Sequence, residues 1–333
     1  MCLREGAGMN CLPRTPNLFF MLRLATLPPV ARAILAMIAA VTLFSAMNAS
    51  IKWLGGRYPV SQIIFFRALF AMVILLPLIW RAGGLLSLRT QRPWGHLGRS
   101  VIGVVSMTCG FTAITYLPLA NASALAFTAP LWTTLLGVLV LGEKVRWRRT
   151  VALVVGFSGV LIMVRPDAAL LHGIMTGGTQ AIGSLFGLAS SFLAACAMIS
   201  VRRLSSTEPS TTIVFYFMLT GIIVAGIAMS REFVMPTAQD AALLVLLGTV
   251  GGLAQVLLTT AYRNAPVAVI APFDYTAMLW ATGYGFLIWG EVPHPAVALG
   301  ALIVIASGVY ITVRETRLGV TNPVKAQTIT KNV

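Results

Sequence analysis

Apolar residues dominate the chain in long blocks of about 15 to 24 positions, broken by short connections that hold most of the charges, prolines and turn residues. Helices that cross about 30 Å of hydrocarbon need about 20 such residues. The blocks predict ten spans, at 31–54, 60–80, 96–117, 119–141, 150–164, 181–201, 211–229, 241–262, 267–289 and 296–313. The fifth is short unless its flanking residues extend it. The expected fold class is an all-α membrane protein, and no segment outside the spans is long enough for a soluble domain.

The pattern also repeats. LWTTLLGVLVLGE at 131–143 returns as LWATGYGFLIWGE at 279–291, with seven of thirteen positions identical and an offset of 148. SGVLIMVR at 158–165 returns as SGVYITVR at 307–314, offset by 149. Two echoes at nearly one offset mark a duplicated half. The organisation read from them is a cytoplasmic N-terminal tail at 1–30, a first five-helix repeat at 31–164, a periplasmic linker at 165–180, a second five-helix repeat at 181–313 and a cytoplasmic tail at 314–333. Five is odd, so the second half crosses the membrane in the opposite sense to the first. That inverted-topology duplication recurs in secondary transporters.

Composition sharpens this picture: 58% of residues are hydrophobic and only 10% charged, against roughly 25% charged in soluble domains. The net charge of +15 suggests nucleic acid until its distribution is examined. With a cytoplasmic N-terminus, nineteen Lys and Arg fall on the inner side and four, Lys52, Arg57, Arg165 and Arg231, on the outer. This positive-inside bias places both termini in the cytoplasm and the protein in the inner membrane. The basic residues then orient the chain against anionic headgroups, and no nucleic-acid partner is expected. Residues 1–30 lack the apolar core of a cleaved signal peptide, and Met9 or Met21 are alternative starts. Cys2, Cys11, Cys109 and Cys196 form no Cys-x-x-Cys pattern, so neither a zinc site nor a disulfide framework is indicated. No cofactor is expected, and no phosphate-binding Gly-Lys-Ser/Thr loop is present. Energy for transport would come from substrate or ion gradients.

The paired Gly-Glu ends, SQIIFFRALF in the second span, YLPLANASALAFTAPL entering the fourth and SAMNASIKWL in the first resemble the drug/metabolite transporter superfamily, specifically its ten-helix EamA-type members, over about 31–314. RPWGHLGRS at 92–100 and APFDYTAMLW at 271–280 are most similar to the branch of S-adenosylmethionine and riboflavin uptake proteins. The resemblance implies a carrier of a small organic metabolite, and a shared role for the acid between Phe273 and Tyr275.

Charges inside spans are costly and default to functional hypotheses. Arg67 and Asp274 are the two that lie well inside. Asp274, roughly 10 Å from the cytoplasmic end of its helix at 1.5 Å per residue, reads either as a proton-coupling or cation-binding carboxylate, or as an acid that fixes packing through Tyr275, Gln255 or Arg67. Arg67 either binds an anionic group or caps neighbouring carbonyls. Lys52, at the outer end of the first span, reads as interfacial. Asn48, Trp132, Gln255 and Tyr275 complete the expected substrate cavity, with Trp132 and Tyr275 able to stack a flat ligand. Pro118, Pro130, Pro266 and Pro272 fall in corresponding regions of the two halves and mark expected helix breaks or hinges. Glu143 and Glu291 end their helices, where an acid opposes the helix dipole; pairing with basic residues or pinning of the repeat hinge accounts for them better than catalysis. The expected partners are a small-molecule substrate and the lipid bilayer, with a monomer and a homodimer both open. An intramembrane enzyme and a non-transporting sensory or structural protein are the competing readings. The scattered His96, His172 and His294 give the enzyme no cluster.

Overall fold

The computed structural model describes residues 28–81, 84–141, 147–164, 178–205, 207–265 and 273–317, and among them every regular element is helical. The helices are α1 (Pro29–Gly55), α2 (Val60–Arg81), α3 (Pro93–Tyr116), α4 (Leu119–Ala126), α5 (Ala129–Leu141), α6 (Trp147–Val164), α7 (Thr179–Leu204), α8 (Ser210–Glu232), α9 (Ala238–Asn264), α10 (Ala277–Trp289) and α11 (Pro295–Arg317), with a 3₁₀ turn at Gly84–Leu88. Among the described residues, seven helical stretches are long and apolar enough to cross a membrane, and Thr150–Ile162, Ala277–Trp289 and Pro295–Tyr310 are shorter apolar helices. The chain is thus a multi-pass membrane protein.

Proline starts several helices where its missing N–H costs nothing, at the first turn of α1 and of α3. Thr237 caps α9 by accepting the Asp240 N–H at 3.2 Å. Gly290 closes α10 in the left-handed region at φ 68°. There a side chain would be strained, and the N–H groups of Gly290 and Glu291 bond back to Phe286 and Gly285.

The span expected at 119–141 appears as the apolar stretch Leu119–Gly137 and is interrupted within it. It breaks at Phe127–Thr128 into α4 and α5. Pro130 explains why: its ring would clash with the carbonyl of Ala126 in an unbroken helix and it offers no N–H. Thr128 heals the break. Its N–H bonds to Leu125 O at 3.1 Å, and its Oγ1 lies 2.7 Å from both Leu125 O and Ser191 Oγ. In the second half a turn at Tyr275–Thr276 precedes α10, with Thr276 Oγ1 donating to Phe273 O at 2.6 Å. Of the span expected at 267–289, residues 267–272 lie outside the described residues. Pro266 and Pro272 lie outside the described residues, as do Gly142 and Glu143.

The main packing pairs are α3 with α7, α1 with α9, α2 with α8 and α6 with α11, and α2 and α3 also touch α9 and α8 respectively. Small residues set these distances. A Cβ at Gly248 or Gly252 would meet Phe70 or the α2 backbone, and one at Gly183 or Gly187 would meet Tyr116, Leu117 or Leu125. Both Gly-x-x-x-Gly pairs therefore serve packing inside the bundle. Ser106 and Ser190 exchange hydrogen bonds with each other's carbonyls, at 2.8 and 2.9 Å, across α3 and α7.

Each end of the bundle is tied by a buried acid. At the end where α1 meets α2, Asp240 accepts from Tyr58 Oη at 2.8 Å, and Gln62 exchanges two hydrogen bonds with Val234. At the opposite end, Glu208, in the connection between α7 and α8, accepts from Thr90 Oγ1 at 2.8 Å and from the Gln91 N–H at 3.2 Å. His96 Nε2 lies 3.5 Å away. Burial by itself raises the Glu208 pKa, but the Thr90 and Gln91 hydrogen bonds and the neighbouring His96 outweigh it and hold the carboxyl below 4.5. A depressed acid stabilises the fold fully above its unfolded pKa, and that contribution disappears as pH falls through the folded value. Glu208→Gln is accordingly expected to melt below wild type at pH 7, with the gap closing as pH falls below 4.5. Melting temperatures of both proteins across that range check this, and a constant gap would contradict it.

Candidate functional site

The broken fourth span lines a chamber of about 130 Å³ near the Lys52 end of the bundle. Ser123 and Ala126 of α4 and Phe127 at the break face it, with Asn48 of α1, Gly110 of α3 and Ser190 of α7. The sequence ANASALA makes this possible, because a run of small residues leaves space where bulky ones would fill it. Glycine keeps the walls close: a Cβ at Gly110 would come within 2.8 Å of Ser190 Oγ. Phe127 meets Tyr275, with ring centroids 5.1 Å apart and planes tilted by 58°. These two aromatic residues sit at the two helix breaks, 148 positions apart, the offset of the Gly-Glu echo. The Tyr275 hydroxyl packs on α11, where a Cβ at Gly308 would overlap it at 2.2 Å.

Lys52 lies on α1 one helical turn beyond Asn48. Its ammonium pairs with Glu291, donates to Leu117 O at 2.8 Å, and lies 5.1 Å from the Trp289 ring. The other Glu291 oxygen accepts the Leu119 N–H at 3.0 Å. That is the first N–H of α4, where an anion is favourable to the helix dipole. One carboxylate thus joins α1, the joint at Pro118 and the connection between α10 and α11. Lys52 stands in the last turn of α1, at the span end expected for it, and its side chain is only 9% exposed. Its partner lies 239 positions along the chain, beyond any local pattern.

The remaining expected residues are dispersed. Arg67 is buried, with Nη1 2.9 Å from Met107 Sδ and its guanidinium 5.8 Å from the Phe111 ring centroid, while its Nε has no hydrogen-bond partner. Trp132 lies outside the chamber lining; Phe157 and Phe192 pack it edge-on at 4.6 and 5.5 Å. Gln255 lines a separate cleft of about 350 Å³ between α2, α8 and α9. Asp274 is exposed and lies immediately before the turn at Tyr275–Thr276. Ser123, Ser190 and Phe127 were not singled out from the sequence. Their signal was the offset of 148, which sets Phe127 opposite Tyr275 in the alignment of the halves.

The EamA-like transporter family model matches twice, at residues 31–165 and 181–314. The chain belongs to the EamA-like transporter family. The pseudopaline exporter CntI of Pseudomonas aeruginosa is 34% identical over 275 residues, covering 82% of this chain and 93% of that protein. The riboflavin transporter of Rhizobium johnstonii is 30% identical over 286 residues, covering 84% and 91%. The S-adenosylmethionine uptake transporter of Rickettsia bellii is 28% identical over 271 residues, covering 81% and 90%. A solved crystal structure shares the fold with a TM-score of 0.58 at 19% identity, over 86% of this chain and 99% of its own. The membership places the chain in the drug/metabolite transporter superfamily, near the branch expected from the sequence. In this EamA-like chain the repeated Gly-Glu thus has a structural use at one of its two sites, as the αL stop of α10 and the acid that holds Lys52 and α4.

Proposed function

We propose that the protein is a secondary carrier that moves a small polar organic metabolite across the inner membrane by alternating access, with both termini cytoplasmic. In this reading 31–164 and 181–313 are five-helix repeats of opposite topology. The short helices α6, α10 and α11 count as spans, and α4 with α5 counts as one. Numbering the spans one to ten, the packing pairs are three with six, one with eight, two with seven and five with ten. Adding five to each member, modulo ten, turns this set into itself, as a two-fold axis relating the halves requires.

The observation that carries the proposal is the meeting of Phe127 and Tyr275 beside a chamber of small and polar residues. A break in a membrane helix is tolerated where the freed backbone lines protein or a water-filled cavity. Here both breaks converge on one place. The chamber's volume is below the roughly 300 Å³ of small-molecule pockets, and the Lys52–Glu291 pair ties α1 to the start of α4 one turn beyond Asn48, so the arrangement fits a state closed on that side. Asp274 holds in the second half the register that Ala126, a chamber residue, holds in the first. We assign it the coupling role, as a carboxylate that exchanges a proton or cation between conformations. Arg67 and Gln255 belong to the walls that rearrange on opening. The relatives are named for exporting pseudopaline and for taking up riboflavin or S-adenosylmethionine, which supports a polar metabolite as cargo.

Purified protein in proteoliposomes tests this with a panel of S-adenosylmethionine, riboflavin, pseudopaline, amino acids and nucleosides. The expected result is flux of at least one compound, chemically unaltered. Asp274→Asn is expected to cut that flux by about tenfold or more, a loss of roughly 1.4 kcal/mol, and to flatten its dependence on pH between 6 and 8. Unchanged flux and pH dependence in folded Asp274→Asn would remove the coupling assignment. Conversion of the compound would favour an enzyme.

A further inference from the structure

At the end of the bundle opposite Lys52, α3 begins beside the last turn of α7 and the two enclose a cleft of about 510 Å³. Gln91, Arg92, Trp94, Arg99, Ser200 and Arg203 line it, and no acid does so among the described residues. The nearby Glu208 is turned to Thr90, the Gln91 N–H and His96. The Arg99 guanidinium carbon lies over the Phe217 ring, 4.3 Å from its centroid, and its buried Nε and Nη1 have no hydrogen-bond partner among the described residues. A fixed, partly desolvated guanidinium with no carboxylate against it favours an anion that can fill its donors.

The surroundings say which anion. Trp94 stands at the mouth, 82% exposed, as a headgroup-level tryptophan does. Below it Leu97, Val101 and Val105 form an exposed apolar stripe along α3, at the spacing of one helix face. No side chain obstructs the floor at Gly98. A phosphate set among the arginines would have acyl chains lying down that stripe.

We infer that this cleft is a binding site for the phosphate headgroup of an anionic phospholipid, a role that basic pockets between membrane helices commonly take. The site rests on none of the transport reading. Full-length protein, stripped of lipid in detergent, is titrated with phosphatidylglycerol and with phosphatidylcholine, reading bound lipid by native mass spectrometry and the shift in melting temperature. Phosphatidylglycerol is expected to bind in preference. Its affinity should fall about tenfold in Arg99→Gln, and by a smaller but measurable factor in Arg92→Gln, whose side chain at the helix start is exposed. The second variant decides the matter if the first fails to fold. Equal binding of the two lipids, or wild-type affinity in Arg92→Gln and a folded Arg99→Gln, would overturn the site. Displacement of the lipid by millimolar inorganic phosphate or glycerol 3-phosphate would assign it to a soluble phosphate and overturn the lipid as occupant.

Discussion

Lys52→Met is expected to open the chamber's nearer end. Without the ammonium, the Glu291 carboxylate, only 23% exposed, keeps the Leu119 N–H but loses its counter-charge. Breaking a buried pair from one side costs about 3 to 5 kcal/mol. For this half-sheltered pair about 2 kcal/mol is a fair magnitude, near a 30-fold shift between states. Hydrogen exchange at the start of α4 reads it directly, because the Leu119 amide is bonded to Glu291. The segment 117–126 should exchange roughly 30 times faster in the variant, and flux should fall because the closed state is no longer favoured. Lys52→Met combined with Glu291→Leu removes both charges and is expected to recover much of the protection, as apolar replacements of buried pairs do. Equal protection in Lys52→Met and wild type would mean that the pair does not hold this end closed.

Filling the chamber should be as damaging to transport and far less so to folding. Ala126 lines the space yet is itself exposed, so Ala126→Phe adds a ring without forcing a packed neighbour aside. A side chain of that size takes most of about 130 Å³. Flux should fall by more than tenfold with the melting temperature nearly unchanged. Retained flux with the ring in place would put the substrate route elsewhere, with the cleft at Gln255 the next place to look.

Much of the architecture was legible because its cause is local. Apolar runs predict the helices that formed, Thr237 with Asp240 three positions on announces the start of α9, and the Gly-Glu echo marks the αL stop at Gly290. The break at Phe127 was half legible. Pro130 marks a break within the span, but the apolar pattern alone does not place it at Phe127–Thr128, where the clash with the carbonyl four residues back falls. The chamber was harder. Its walls are glycines, alanines and serines, which carry no distinctive chemistry; only their convergence from four helices makes a site. The partner of Lys52 was hidden for a related reason. Position at a span end suggests an interfacial lysine, and only tertiary structure brings Glu291 to it. Arg67 shows the converse, since a conspicuous intramembrane charge proved to pack against Met107 and Phe111.

The most direct test of alternating access is access itself. In protein whose four native cysteines are replaced, Ser123→Cys places one thiol in the chamber. Membrane-impermeant thiol reagents are then applied to one face of oriented vesicles at a time. A carrier predicts labelling from both faces, with transported substrate shifting the balance between them. Labelling from one face alone, or from neither, in a protein that still binds its substrate would contradict the account.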